Sequence, residues 1–217
     1  RQFIAFSTDK KGGFEADQLA YVEELLPFVG LRIEIEHSRL TTDQLLRTYL
    51  GANAARRVAA GTIRRVMGDE INAIIFACDM RGFTRLADTL PSQSVFTVLN
   101  AYYDAVALPV QRNGGDILKM IGDGILAIFP LDYEVSESVA RDTASRAVTA
   151  VEEAISTLDE LAQEQLPDGA WPLRAGFALH VGPVTFGNVG SRDRLDFTTI
   201  GPAVNEAFRL EALTKTL

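Results

Sequence analysis

Ile74-Ile75-Phe76-Ala77-Cys78-Asp79-Met80-Arg81-Gly82-Phe83-Thr84 is an apolar run that ends on a carboxylate and then meets a glycine. The continuous apolar stretch to Cys78 reads as a buried strand, and Arg81-Gly82-Phe83-Thr84 opens a helix directly after it. A carboxylate ending a buried strand costs several kcal/mol unless something compensates it, and a bound cation is the usual compensation. A second carboxylate repeats the theme: Asp123 closes Lys119-Met120-Ile121-Gly122-Asp123, at the turn of a hairpin expected from Asp116 to Phe129. The pair points to a metal site. Asn205 and Arg209 lie four apart on a helix that starts after Gly201-Pro202, so both point the same way. Two acids, one amide and one guanidinium suit phosphoryl chemistry.

The pattern continues on both sides of these motifs. Val95, Leu99, Tyr102 and Val106 recur at helical spacing, and another helix fills Val135 to Leu161. Leu173, Ala175, Phe177 and Leu179 alternate with Arg174, Gly176, Ala178 and His180, as in a strand with one buried face. A turn is expected at Gly182-Pro183, with a further strand from Val184 to Val189. Strand, helix, two strands, helix, strand is the order of a ferredoxin-like α+β core, βαββαβ. Upstream, Phe3 to Thr8 reads as a short strand, and Gly12-Gly13 as a turn. Leu19, Val22, Leu25, Leu26, Val29 and Ile33 then mark a helix. Pro27 interrupts it at a cost of about 3 kcal/mol, so the helix kinks there or two shorter helices meet. A second helical stretch carries Leu45, Leu46, Tyr49 and Leu50 behind the capping residues Thr41, Thr42 and Asp43.

Composition bounds the function. The chain has 217 residues, of which 47% are hydrophobic, enough for one substantial core plus an appendage. Its net charge of -8 argues against a nucleic-acid partner, because counterion release needs clustered Lys and Arg. One cysteine excludes an internal disulfide, and Cys78 reads as a buried, inert thiol in a reducing, cytoplasmic setting. No stretch has the length of a membrane span, and no leader opens the chain. Because it starts at Arg1, it reads as a piece of something longer. His37 and His180 are too far apart for a metal cluster and read as core or surface residues.

The segment from about Ile71 to Leu217 resembles the catalytic domain of class III nucleotidyl cyclases. The resemblance rests on several separated motifs in the family's order: Phe76 through Thr84, Lys119 through Asp123, Gly187-Asn188-Val189-Gly190, and Thr198-Thr199-Ile200-Gly201 running on to Asn205 and Arg209. It implies a ferredoxin-like core of the class III type with an N-terminal helical extension. It divides the chain into the end of an upstream sensor resembling a GAF domain (1–38), a helical linker with Arg56, Arg57, Arg64 and Arg65 (39–69), and a catalytic domain (70–217). A final strand pair with a triphosphate-binding lysine, usual in the family, has no counterpart here.

The resemblance also implies roles. Asp79 and Asp123 would share two divalent cations, Mg²⁺ or Mn²⁺, with the Met80 carbonyl assisting. Gly82, Phe83 and Thr84 would receive the β and γ phosphates, and Arg192 is a further triphosphate ligand. Asn205 would orient the ribose, and Arg209 would meet the charge building on the α-phosphate. Lys119 and Thr198 match the pair that reads the purine; lysine there favours ATP, while threonine departs from the commoner aspartate and resembles the subgroup with reported bicarbonate stimulation. The implied reaction is ATP to 3',5'-cyclic AMP and pyrophosphate. The implied assembly is a head-to-tail homodimer whose sites take Asp79 and Asp123 from one chain and Lys119, Thr198, Asn205 and Arg209 from the other. Guanylyl cyclase, or a catalytically silent nucleotide-binding or dimerising module, stand as alternatives. A diguanylate cyclase is disfavoured, because Gly114-Gly115-Asp116 continues as Ile117-Leu118.

Overall fold

The sheet is built around β1 (Gly68–Met80), whose side chains alternate between two packed faces. The structure is a computed structural model and describes residues 3–61, 68–131, 136–162 and 173–216. The remaining elements are α1 (Ala16–Leu50), α2 (Ala52–Ala59), α3 (Phe83–Thr89), α4 (Ser92–Arg112), β2 (Asp116–Ile121), β3 (Gly124–Leu131), α5 (Glu137–Leu161), β4 (Ala175–Gly190), β5 (Leu195–Ile200) and α6 (Pro202–Leu213). The five strands pair antiparallel in the order β2-β3-β1-β4-β5. Strands β1 to β4 thus form the split βαβ arrangement expected, with β5 added outside β4.

The period of two in β1 feeds two cores. Ile74, Phe76, Cys78 and Met80 pack with Ile125, Ala127 and Phe129 of β3 against Val98, Tyr102 and Val106 of α4 and Ala147, Ala150 and Ala154 of α5. Ala73, Ile75 and Ala77 pack on the other face, with Val184, Phe186 and Phe197, against Ala203, Val204 and Ala207 of α6 and Ala54 of α2. The alanine rows of α5 and α6 are what let helices lie close to the sheet. A strand buried on both faces must be apolar throughout, which is why residues 73–78 read as an unbroken run.

The chain divides into two compact units, Arg1–Leu46 and Arg47–Leu217. In the first, Phe3–Thr8 has no regular structure, where a strand was expected. Of the two outcomes expected at Pro27, the meeting of two shorter helices does not occur: α1 runs through it, and exposed Glu23, whose carbonyl loses its intrahelical donor, faces solvent. The same helix continues to Leu50, absorbing the second stretch. The expected linker 39–69 is also revised. Ala54 and Ala55 of α2 are buried, and Ala54 joins the sheet's core, so this part of the segment is a piece of the second unit. Arg56 and Arg57 lie on α2, while Arg64 and Arg65 fall outside the described residues. No turn forms at Gly182-Pro183, since β4 is one strand of 16 residues pairing with β1 along its first part and β5 along its last. Proline is tolerated there because it pairs through its carbonyl alone.

Candidate active site

Asp79 reaches the end of β1 directly opposite Gly124 of β3 and Gly176 of β4. The tight turn Gly122-Asp123 brings the second carboxylate beside it, with Gly122 at φ 62 in the left-handed region. The Met80 N–H donates to the Asp123 carbonyl at 3.2 Å, and the Tyr103 hydroxyl donates to the Gly122 carbonyl, so the turn is tied to both β1 and α4. Burial pushes the Asp123 carboxyl above its usual range, and the neighbouring Asp79 charge pushes it further, with Lys215 partly offsetting both. Two hard-oxygen donors side by side, with Asp123 held above its usual range by burial and by the Asp79 charge, form a site that a divalent cation relieves. The residues present therefore fit Mg²⁺ or Mn²⁺.

A cavity of about 250 Å³ opens here, lined by Asp79, Ile121, Gly124, Phe208, Glu211 and Lys215 among others. Lys215, just past α6, donates from Nζ to Asp79 Oδ2 at 2.7 Å. Arg81 anchors the end of α6 from below. Its Nη1 lies 2.9 Å from Oε1 of buried Glu211 without an aligned hydrogen bond, its Nη2 donates to the Thr214 hydroxyl, and its backbone N–H donates to the Arg174 carbonyl at 2.8 Å. Gly176 has no side chain because the Arg81 guanidinium occupies the space where a Cβ would stand. Beyond Arg81, Gly82 caps α3 at φ 77, Phe83 packs partly against the core, and Thr84 is exposed.

The other expected site residues lie elsewhere. Asn205 and Arg209 are both exposed on α6, and Arg209 Nη1 pairs with Glu206 Oε2 at 3.1 Å. Neither is among the residues lining the Asp79 cavity. The buried face of α6 is Ala203, Val204, Ala207 and Glu211, while Phe208 and Leu213 are exposed. Lys119 of β2 forms an ion pair with Asp196 of β5, two residues before buried Thr198 on the same face of that strand. Arg192 is exposed at the bend between β4 and β5. Among the described residues no group of three or more His, Cys, Asp and Glu side chains is placed to hold a metal.

Sequence reasoning missed Tyr103, Arg81 as an anchor, Glu211, Lys215 and Asp196. Glu211 carried a signal, a charged residue at the i+4 position from Ala207 on the buried face. The others pair across long sequence separations, which no local pattern encodes. Among the described residues no helix is long and apolar enough to cross a membrane.

Residues 68–217 match the family described as the adenylate and guanylate cyclase catalytic domain. An adenylate cyclase of Anabaena cylindrica is 33% identical over 159 residues, covering 73% of this chain and 29% of that protein. A bacterial light-regulated adenylyl cyclase superposes with a TM-score of 0.71 at 29% identity, over 89% of this chain and 53% of that one. A guanylyl cyclase structure gives a TM-score of 0.58 at 34% identity, over 67% of this chain and 72% of that one. The chain thus spans about three tenths of the curated relatives it matches.

Proposed function

Since the chain belongs to the class III adenylyl and guanylyl cyclase catalytic-domain family, we propose that it converts ATP to 3',5'-cyclic AMP and pyrophosphate at sites completed by a second copy of itself. One observation carries this reading: Asp79, with Asp123 beside it, opens on a cavity, while Asn205 and Arg209 project from the exposed side of α6 and do not line it. Each chain then holds two incomplete halves, and a two-fold pair makes two whole sites.

The ribose 3'-hydroxyl must lose its proton and attack the α-phosphorus in line, and charge on the phosphoryl oxygens must be met. Asp79 and Asp123 would hold the divalent cations, which when bound lower the hydroxyl's pKa and offset triphosphate charge. The backbone at Gly82, Phe83 and Thr84 lies next to the acids, where the β and γ phosphates would follow, and Arg192 is a further ligand for them. Asn205 orients the ribose. Arg209, held by a single exposed carboxylate, exchanges Glu206 for the α-phosphate as charge builds there. Lys119 and Thr198 read the purine, lysine donating to adenine N1 and the threonine oxygen accepting from the exocyclic amine. The second reading is a guanylyl cyclase, favoured by the structural likeness to one at 34% identity. The unit Arg1–Leu46 would transmit an upstream signal to the catalytic unit.

Complementation tests the shared site. Asp79→Ala and Asn205→Ala should each be nearly inactive and regain about one quarter of wild-type activity when co-folded at equal ratio, because half the dimers are mixed and half their sites intact. Cyclic AMP is assayed across mixing ratios, with dimers verified by sedimentation. Verified mixed dimers without recovery would place both residues in one chain's site.

A further inference from the structure

Resting on the cyclase reading, we propose that Arg81 is a positioning residue that fixes the two half-sites of one chain to each other. One half is the metal-binding end of β1, used in one site of the dimer; the other is α6 with Asn205 and Arg209, used in the second site. Arg81 stands two residues after Asp79, directly past the end of β1. Its Nη1 lies 2.9 Å from Oε1 of Glu211, and its Nη2 donates to the hydroxyl of Thr214, the residue that caps α6. Asn205, Arg209 and Glu211 belong to the same 12-residue helix, so whatever sets the place of Glu211 sets the place of the other two.

The packing of α6 leaves this task to Arg81. The first two turns rest on the sheet through Ala203, Val204 and Ala207, small apolar side chains whose contacts have no direction. One turn further the inward position is Glu211, 4% exposed, while Phe208 and Leu213 are turned to the surface. Directional contacts from Arg81 therefore take the place of apolar packing at the last turn. Apolar side chains at both positions would hold the helix without desolvating two charges, and buried ion pairs are often matched in stability by such replacements. Arg81 Nη1 and Glu211 Oε1 lack an aligned hydrogen bond although both are buried, so this is not the arrangement that stability alone favours. What the pair adds is register: a planar fork engages the last turn of α6 and its cap at once. Arg209 is two positions from Glu211 on the opposite side of the helix, so a slide or roll at Glu211 is carried to its guanidinium.

The test builds on the complementing pair Asp79→Ala and Asn205→Ala, whose mixed dimer has one intact site. In that site the metal half comes from the Asn205→Ala chain, and the half with Asn205 and Arg209 comes from the Asp79→Ala chain. Thr214→Val removes the hydroxyl that Arg81 engages. It is placed first in the Asn205→Ala chain and then in the Asp79→Ala chain, with Glu211→Gln as a second variant in the same two arms. Cyclic AMP formation per verified mixed dimer is expected to fall about three- to tenfold in both arms, the scale of one lost hydrogen bond. In the Thr214→Val homodimer the Mn²⁺ Kd, read from the free-Mn²⁺ EPR signal, should rise by a similar factor. Val110→Ala, in the core on the sheet face away from α6, is the control for stability: it should lower the thermal midpoint and leave the rate per dimer and the Kd unchanged. A loss confined to one arm, or no loss in either, would overturn the proposal, because Arg81 would then serve a single half-site or the fold alone. An equal loss in Val110→Ala would overturn it as well. If the pair without further changes fails to recover activity in verified mixed dimers, the shared-site reading falls and the proposal with it. Recovery there with both arms unaffected leaves that reading standing and removes the proposal alone.

Discussion

Lys215 Nζ lies 2.7 Å from Asp79 Oδ2, so an ammonium of the chain itself meets the carboxylate expected to bind metal. The contact raises the lysine's pKa, chiefly through the hydrogen bond to Asp79, and keeps it charged. A cation arriving at Asp79 must displace it. The pair is half exposed on the lysine side, and exposed pairs contribute about 0.2–1 kcal/mol, so Lys215→Met should tighten Mn²⁺ binding by about two- to fivefold. Titration of the free-Mn²⁺ EPR signal reads this directly, and an unchanged Kd would mean that the lysine leaves at no cost.

Arg209→Ala should act on kcat, lowering it by about 10² to 10³, the range for losing one preorganised charge-stabilising donor. Its ion-pair partner is Glu206, one helical turn away and exposed, so the thermal midpoint should scarcely move. A change confined to KM would make Arg209 a ground-state ligand.

Gly176→Ala tests the anchor beneath the acids. The new Cβ would land on the Arg81 guanidinium and the Thr214 hydroxyl, forcing apart the contacts that hold the end of α6. Overpacking of this kind costs about 1–3 kcal/mol, visible as a lower denaturant midpoint at constant m-value. Because Gly176 sits opposite Asp79 in the sheet, Mn²⁺ affinity should fall in parallel. Retained stability and affinity together would show that Arg81 can move aside freely.

Cys78 should resist labelling. Burial is the main cause that pushes its thiol up to about 12, and its Sγ lies 3.0 Å from the Tyr102 hydroxyl. The thiolate is the reactive form, and about one in ten thousand thiols would be ionised at pH 8. Reactivity toward a disulfide reagent should stay suppressed from pH 7 to pH 9 in the native protein and appear at once in guanidinium. Rapid native labelling would show that β1 opens.

How much of this was legible beforehand can be argued residue by residue. The strand 73–78 was legible because burial on both faces demands an apolar residue at every position. The helix face of α4 was legible because one stripe meets the sheet. The hairpin turn around Asp123 was marked by its two glycines. What failed was local reading where context overrode it: Gly182-Pro183 is carried within β4, the two upstream helical stretches run as one α1, and residues 52–59 belong to the second unit, with Ala54 in its core. Each of those residues has an ordinary local preference that a neighbouring element outweighs.

The sequence by itself determined the order of elements from β1 to α5 and the two-faced core strand, because periodicity and side-chain chemistry act over a few residues. Only the tertiary structure decided which charges meet. Lys119 with Asp196, Lys215 with Asp79 and Arg81 with Glu211 are separated by many tens of residues. Their pairing follows from strand order and from where α6 ends, and a Coulomb contact of a few ångströms leaves no trace in the spacing of residues along the chain.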